Sequence, residues 1–408
     1  MTNITFIHAA DLHLDSPFHG ISGLPEQVYG RIKNSTFESA ANLFRLAIGE
    51  QADFILLAGD LFDEANRSLK AQLFLRKQFL KLRENGIQVY VIFGNHDHMG
   101  GEWTPIEWPD NVHIFSSAGI EEKSFYKNGR LAASIYGYSY PQRSVFENKA
   151  ADMKRTTDAP FHIGMIHGAL SGEGVHDPYC PFSLQDLKNG QMDYWALGHI
   201  HKRQVISAEH PVAIYPGNTQ SRHMKETGEK GCFLVKAGGG GLSFEFRPTS
   251  DVLWEAVQID VSETQHVTDL ISRIETVLQT YRSGGTAVCV KAILAGEAPP
   301  YLAERPGGII DELLDIFREE EKDGESFIWL AAVEDRTEST LSAIESDAFF
   351  QELTREIDDV QNVEQILADL ERHAVFRRYG KKFNEEDFRE IRDQAKKVLL
   401  HELRTMKR

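Results

Sequence analysis

Five short stretches gather residue types that bind divalent cations and move protons: Asp11-Leu12-His13, Gly59-Asp60-Leu61-Phe62-Asp63, Gly94-Asn95-His96-Asp97, His167 and Gly198-His199-Ile200-His201. Asp11, His13, Asp60, Asn95, His167, His199 and His201 offer imidazole, carboxylate and amide oxygen, and no thiolate. That set suits borderline or hard divalent ions, Mn first, with Fe, Zn, Co and Ni as the other choices. Together these donors exceed what one tetrahedral ion needs, whereas two ions about 3.5–4 Å apart and sharing a carboxylate would use them all. With only Asp11 and Asp60 ionised among the ligands, two divalent ions leave the site net positive, and an anionic phosphodiester could enter. The ions would activate a water and neutralise charge developing on phosphorus. His96, a neighbour of the ligands, is placed to protonate the leaving oxygen as general acid. Asp63 and Asp97 are read as partners that orient the imidazoles or the asparagine. His8, His19, His113, His162, His210 and His223 lack the pattern and are read as surface or core residues.

Each motif follows a short apolar run. Ile4–Ala9, Phe54–Ala58, Val89–Phe93, Phe161–Ile166 and Tyr194–Leu197 read as buried strands, as does Ser134–Tyr138. Segments with helical spacing lie between them, Val28–Glu50 and Ser68–Glu84, the latter closed by Asn85-Gly86. Strands alternating with helices predict a layered α/β domain. The carboxyl ends of its strands open on one rim, where residues distant in sequence converge. A hairpin follows, Gly231–Lys236 and Leu242–Phe246 around the turn Gly238-Gly239-Gly240-Gly241.

Beyond about residue 250 the pattern changes. Strands over Ala256–Val261, Ala287–Leu294 and Phe327–Val333 alternate with helices over His266–Tyr281 and Ile309–Glu321, a small α+β domain. Two helices, Leu341–His373 and Glu385–Lys407, complete the chain. The expected division is 1–250, 251–336 and 337–408.

The net charge of −17 argues against a polyanion-binding protein, but its distribution weakens that argument. Asp251 onward holds 34 acidic against 20 basic residues, so residues 1–250 are close to neutral. Within the second part, Glu297–Glu371 holds 22 acids and 5 bases, and Arg372–Arg408 holds 12 bases and 6 acids. No apolar run approaches a membrane span, and Met1–Ile7 does not read as an export signal, so a cytoplasmic protein is expected. Cys180, Cys232 and Cys289 form neither a disulfide framework nor a thiolate metal site.

The five motifs, none missing or altered, resemble those of the calcineurin-like metallophosphoesterase superfamily. The resemblance implies a two-sheet sandwich flanked by helices. It also implies one metal on Asp11, His13, Asp60 and His201, a second on Asp60, Asn95, His167 and His199, Asp60 as the bridge and His96 as the acid. Phe6-Ile7-His8-Ala9-Ala10-Asp11-Leu12-His13-Leu14-Asp15-Ser16-Pro17 and Tyr215-Pro216-Gly217-Asn218-Thr219-Gln220-Ser221-Arg222 narrow it to DNA-repair nucleases of the SbcD type, closest to the YhaO branch. That group implies Mn-dependent cleavage of DNA, a coiled-coil ABC-type ATPase as partner and a homodimer. Arg203, Asn218 and Arg222 are the candidates for substrate contact. Beyond residue 250 the likeness is one of order alone: a DNA-capping position for the small domain and an ATPase-docking position for the terminal helices.

Two other functions compete. A small-molecule phosphatase or cyclic-nucleotide phosphodiesterase would use the same motifs, but would not need residues 251–408. A scaffold that keeps the metals for structure and anchors an ATPase would not need His96.

Overall fold

The computed structural model describes residues 2–18, 24–171, 179–282, 284–299, 301–302, 308–321 and 326–337, with isolated positions at 352, 355, 387–389, 391 and 395. His19 and almost all of the two expected terminal helices, Leu341–His373 and Glu385–Lys407, lie outside the described residues.

Two six-stranded sheets carry the first part of the chain. The first contains β1 (Ile4–Ala9), β2 (Phe54–Ala58), β3 (Gln88–Ile92), β4 (Val112–Ile114), β11 (Gly231–Gly238) and β12 (Gly241–Pro248), in the order β12-β11-β1-β2-β3-β4. The second contains β5 (Glu121–Lys127), β6 (Arg130–Gly137), β7 (His162–His167), β8 (Tyr194–Gly198), β9 (Gln204–Ser207) and β10 (Val212–Tyr215), in the order β5-β6-β7-β8-β10-β9. Pairing is parallel through β1-β2-β3-β4 and through β6-β7-β8-β10. The strand ends that carry the motifs therefore point the same way within each sheet.

The strands alternate between two cores. Phe6, Phe54, Leu56, Tyr90, Ile163, Tyr194, Ile214 and Val235, drawn from both sheets, share one cluster and seal the sheets face to face. Ile7, Ala9, Ile55, Leu57, Val89 and Val91 turn the other way and pack with Phe37, Leu43 and Phe44 of α1 (Glu26–Gly49) and Leu75 and Phe79 of α2 (Leu69–Glu84). The outer face of the second sheet packs with Ala150 of α3 (Lys149–Asp152) and Leu187 of α4 (Leu184–Asn189). Strands buried on both faces must be apolar throughout, which is why they appear in the sequence as unbroken runs. This is the expected sandwich.

Local sequence sets the ends. Ser68 caps α2 by accepting from the Ala71 amide at 3.1 Å, and Gly86, at φ 73°, turns the chain out of it. β11 and β12 pair from Gly231↔Pro248 to Gly238↔Gly241, leaving Gly239-Gly240 as a two-residue turn. Edge elements went unread in the sequence: β5 is Glu-Glu-Lys-Ser-Phe-Tyr-Lys with only Phe125 buried, and β9 has no buried residue.

A third sheet, β13-β14-β15, is built from β13 (Val252–Asp260), β14 (Ala287–Ala295) and β15 (Ile328–Asp335), alternating along the chain with α5 (Val267–Arg282) and α6 (Gly308–Glu320). β13 begins at Val252, ahead of the expected Ala256, because Val252 and Trp254 are buried with Val28 and Ile32 of α1. Two compact units divide the described chain. One comprises residues up to Ala256 with Thr280–Lys291 and Arg318–Ala331, and the other Val257–Gln279, Ala292–Phe317 and the described residues from Ala332 on. All three cysteines are buried and free. Among the described residues no helix is long and apolar enough to cross a membrane.

Candidate metal centre

The loops leaving β1 and β2 are laced together. The amides of Asp11, His13 and Leu14 donate to the carbonyls of Gly59, Asp60 and Leu61, each at 3.0 Å. Asp11, His13 and Asp60 take left-handed backbone at φ 53°, 43° and 51°, and His199 follows at 98°. Such conformations cost a non-glycine residue roughly 1–2 kcal/mol and persist where the surroundings fix them. Here they aim the side chains back over the strand ends. Close approach explains two glycines: a Cβ on Gly94 would collide with the Asp60 carboxylate and the His167 ring, and one on Gly198 with the Ala58 carbonyl.

Asp11, His13, Asp60, His96, His167 and His201 present donor atoms within 4.8 Å of one another in three overlapping groups. Asp60 Oδ2 stands 3.3 Å from His167 Nε2 and 3.8 Å from His13 Nε2, so one carboxylate oxygen faces imidazoles on both sides. Asn95 Oδ1 lies 3.0 Å from His167 Nε2 and 3.1 Å from His199 Nδ1. Asp11 accepts from the His199 amide. The sequence-predicted donors thus converge, although they span the chain from Asp11 to His201.

The far side of each ring tests whether cations fit. His201 Nδ1 lies 2.7 Å from Glu226 Oε1 in a hydrogen bond, and His13 Nδ1 stands 3.1 Å from Asp63 Oδ1 without hydrogen-bond alignment, so a carboxylate beside each Nδ1 favours the proton there. The two Nε2 atoms then present lone pairs to each other across 3.1 Å. His167 repeats the pattern: Nδ1 meets the Ala58 carbonyl at 2.9 Å and Nε2 faces the oxygens of Asn95 and Asp60. Lone pairs gathered around a shared point repel unless a proton or a metal ion lies between them, and donor separations near 3 Å suit ligands bound at about 2.0–2.2 Å. These residues fit divalent cations.

The electrostatics follow the same logic. Burial and the nearby Arg222 guanidinium hold His13 down to about 3, so it is neutral. Burial works to lower His167, but the carboxylates of Asp60 and Asp11 outweigh it and raise the ring to about 9. A proton there stands in for a metal. Asp60 is driven well below its usual range despite burial, by His167, His13 and His96, whereas burial raises Asp11.

The neighbouring residues have separate tasks. His96 Nδ1 faces the Asp63 carbonyl at 2.8 Å, its amide donates to Asp60 Oδ1 at 2.9 Å, and its ring packs edge-on to His13, 4.9 Å between centroids. Asp63 joins His13 to Arg222, which also reaches Ser16. Among the described residues Asp97 bonds to backbone amides and not to an imidazole. Its two oxygens accept from the Gly94 and Leu61 amides at 2.7 Å each, tying the second motif's loop to the third's, and burial raises it to about 6. Arg203 is exposed, its guanidinium 3.7 Å above the Phe246 ring. Asn218 has no exposure and donates to Glu226 Oε2 at 2.9 Å.

A cavity of about 700 Å³ opens over Asp60, Asn95, His96, His199 and His201, and Lys202, His223, Lys225, Glu226, Thr227 and Lys230 form the rest of its wall. Sequence reasoning passed over this second group. Its residues follow no apolar strand, and only the spatial return of 223–230 to His201 exposes them. Glu226 is the chief omission: buried, it binds His201, Asn218 and the Arg222 amide, and His201 and Arg222 hold its carboxylate in the ionised form against burial. Arg67 was also missed; it is buried between the Phe93 and Trp103 rings, 3.8 Å from each, and donates to the Asp97 carbonyl.

Residues 4–203 match the calcineurin-like phosphoesterase family. The chain is 57% identical over 406 residues to the uncharacterized metallophosphoesterase YhaO of Bacillus subtilis, spanning 100% of this chain and 99% of that protein. It is 26% identical over 295 residues to the DNA double-strand break repair protein Mre11 of Methanocaldococcus jannaschii, covering 66% of this chain and 73% of the other. To one component of the nuclease SbcCD of Bacillus subtilis it is 24% identical over 288 residues, covering 62% and 68%.

Proposed function

Because the chain belongs to the calcineurin-like phosphoesterase family, whose members are two-metal phosphoesterases, we propose that it is a Mn-dependent, cytoplasmic DNA nuclease of the repair type. The observation that carries the phosphoesterase chemistry is the convergence of donors from five strand ends, with the far nitrogens of His167 and His201 held by acceptors and that of His13 beside the Asp63 carboxylate. Asp11, His13, Asp60 and His201 would hold one ion and Asp60, Asn95, His167 and His199 the other, with Asp60 contributing to both. When bound, the ions activate water and offset charge at phosphorus. The DNA reading is supported by likeness to proteins named for break repair and for nuclease activity, and by the lysines beside the centre.

The chain's own groups divide the remaining work. Asp63 and Glu226 keep the protons of His13 and His201 on Nδ1, so that Nε2 is free to donate electrons. His96 is held through Nδ1 by the Asp63 carbonyl, leaving Nε2 to hand a proton to the leaving oxygen. Arg222 fixes Asp63, and Asn218 fixes Glu226, so both serve the centre through another residue. A coiled-coil ABC-type ATPase and a second copy of this chain are the proposed partners, with residues 337–408 as the docking segment.

The test is the purified protein with Mn on linear duplex DNA. Degradation that is lost in Asp60→Ala supports the nuclease. Activity confined to small phosphoesters and indifferent to competing DNA would establish the small-molecule reading, and full biological function in both Asp60→Ala and His96→Ala would establish the scaffold.

A further inference from the structure

Two features beside the metal centre play no part in holding cations. On one side the Tyr179 ring lies 5.9 Å from the His199 ring, and Phe146 lies 6.0 Å from Tyr179, centroid to centroid. Phe146 is 64% exposed. A single exposed apolar ring is common on protein surfaces. A ring exposed at the end of a file that begins at a cation-binding histidine is not. The backbone holds this file firmly: the Cys180 amide donates to the Val145 carbonyl at 2.6 Å and the Ala169 amide to the Tyr179 carbonyl at 3.0 Å, with Val145 and Cys180 both buried. Phe146 is therefore presented outward by an anchored segment.

In the cavity wall Lys202 and Lys225 are exposed, while Lys230 is buried with its Nζ donating to the His201 carbonyl at 3.4 Å. In a chain of net charge −17 these cations stand at the place where a phosphate must enter, and the two carboxylates of the same wall, Asp60 and Glu226, are engaged by His167 and His201. Aromatic faces beside a basic groove are the combination that holds unpaired nucleic acid strands: bases stack on the rings without regard to sequence, and the cations follow the backbone.

We propose that Phe146 and Tyr179 form a base-stacking platform and the exposed Lys202 and Lys225 a phosphate ledge, so that the centre receives a single-stranded stretch of polynucleotide. This rests on the nuclease reading and specifies which wall takes which part of the substrate. A small phosphomonoester would use neither wall fully. A duplex end would have to release its terminal bases before the scissile phosphate reached the ions.

The test compares a single strand of about ten nucleotides with an abasic strand of equal length and charge. Binding is measured with Mn on protein carrying His96→Asn, so that neither strand is cut. Phe146→Ala and Tyr179→Leu should each weaken binding of the base-bearing strand about fivefold or more and leave the abasic strand unaffected. The double variant Lys202→Gln, Lys225→Gln should weaken both strands and flatten the salt dependence by roughly 1.4 in the log-log slope. Equal losses on both strands from the aromatic variants, or no loss from Phe146→Ala, whose exposed ring leaves folding intact, would overturn the platform. An unchanged salt slope in the lysine variant would overturn the ledge. A parent protein that binds neither strand while hydrolysing small phosphomonoesters overturns the nuclease reading, and this proposal with it.

Discussion

Metal loading should be a competition with a proton. In the metal-free protein the His167 imidazole is raised to about 9, against its burial, by Asp60 and Asp11, and its Nε2 lies 3.3 Å from Asp60 Oδ2. A divalent ion requires that ring neutral. At pH 7, about two pH units below that value, removing the proton costs about 2.7 kcal/mol, or a factor of about one hundred in affinity. Raising the pH to 8 should recover about tenfold of it. Titration calorimetry of Mn binding, in buffers of different ionisation enthalpy, should show about one proton released from this position at pH 7. Stability carries the same signature with opposite signs. The folded value lies above the ordinary 6.5, so the stabilisation of the metal-free protein is complete below that pH and is lost as pH rises through about 9. The Mn-loaded protein keeps its cation over that range. The gap in melting temperature between loaded and metal-free protein should therefore widen with pH. A proton count near zero, with Mn affinity flat from pH 7 to 8, would refute the idea that a proton occupies the cation's place.

Other perturbations separate the roles. His96→Ala should lower turnover by about 10²–10⁴-fold and leave Mn affinity within error, as read by steady-state kinetics beside calorimetry. Glu226→Gln, which removes the charge 2.7 Å from His201 Nδ1, should weaken metal binding by about 10–100-fold; an unchanged Mn titration would show that His201 needs no such partner. Phe54→Ala deletes a fully buried ring that stacks at 5.0 Å on Phe6, and chemical denaturation should find the protein about 3–5 kcal/mol less stable.

The centre was legible in the sequence because its scaffold is legible. β1, β2, β3, β7 and β8 are buried on both faces, so each leaves an apolar run that ends where a motif begins. β10, buried throughout, leaves a run of the same kind and was nonetheless passed over; the other omissions have no such marker. Glu226 and the cavity lysines lie in connections between strands, where polar residues look like any solvated loop. Asp97 was read as a partner of the imidazoles or the asparagine, but the amides of Leu61, Phe62 and Gly94 donate to it, and no side-chain pattern announces a bond to an amide. Arg67 looks like a surface charge in sequence, and only the rings of Phe93 and Trp103 reveal it as buried. Edge strands β5 and β9 were missed for the converse reason: with one side open to water, composition alone does not separate them from loop.

The pairing of β1 with β11 bears on how the chain is made. β1 lies between β2 and β11, and its register with β11 runs Ile4↔Ala237 to His8↔Phe233. A ribosome delivers one neighbour early and the other very late. At roughly 5–20 residues per second, about 230 residues of synthesis leave that apolar edge unpaired for on the order of ten to fifty seconds. Nascent or truncated chains ending before Gly231 would expose a ready template for intermolecular strand addition. Asp11 and His13 would meanwhile sit at the end of a strand held from one side only. Expression of such truncations should yield aggregates, and the complete chain should depend on holding chaperones until the β11–β12 hairpin closes the sheet.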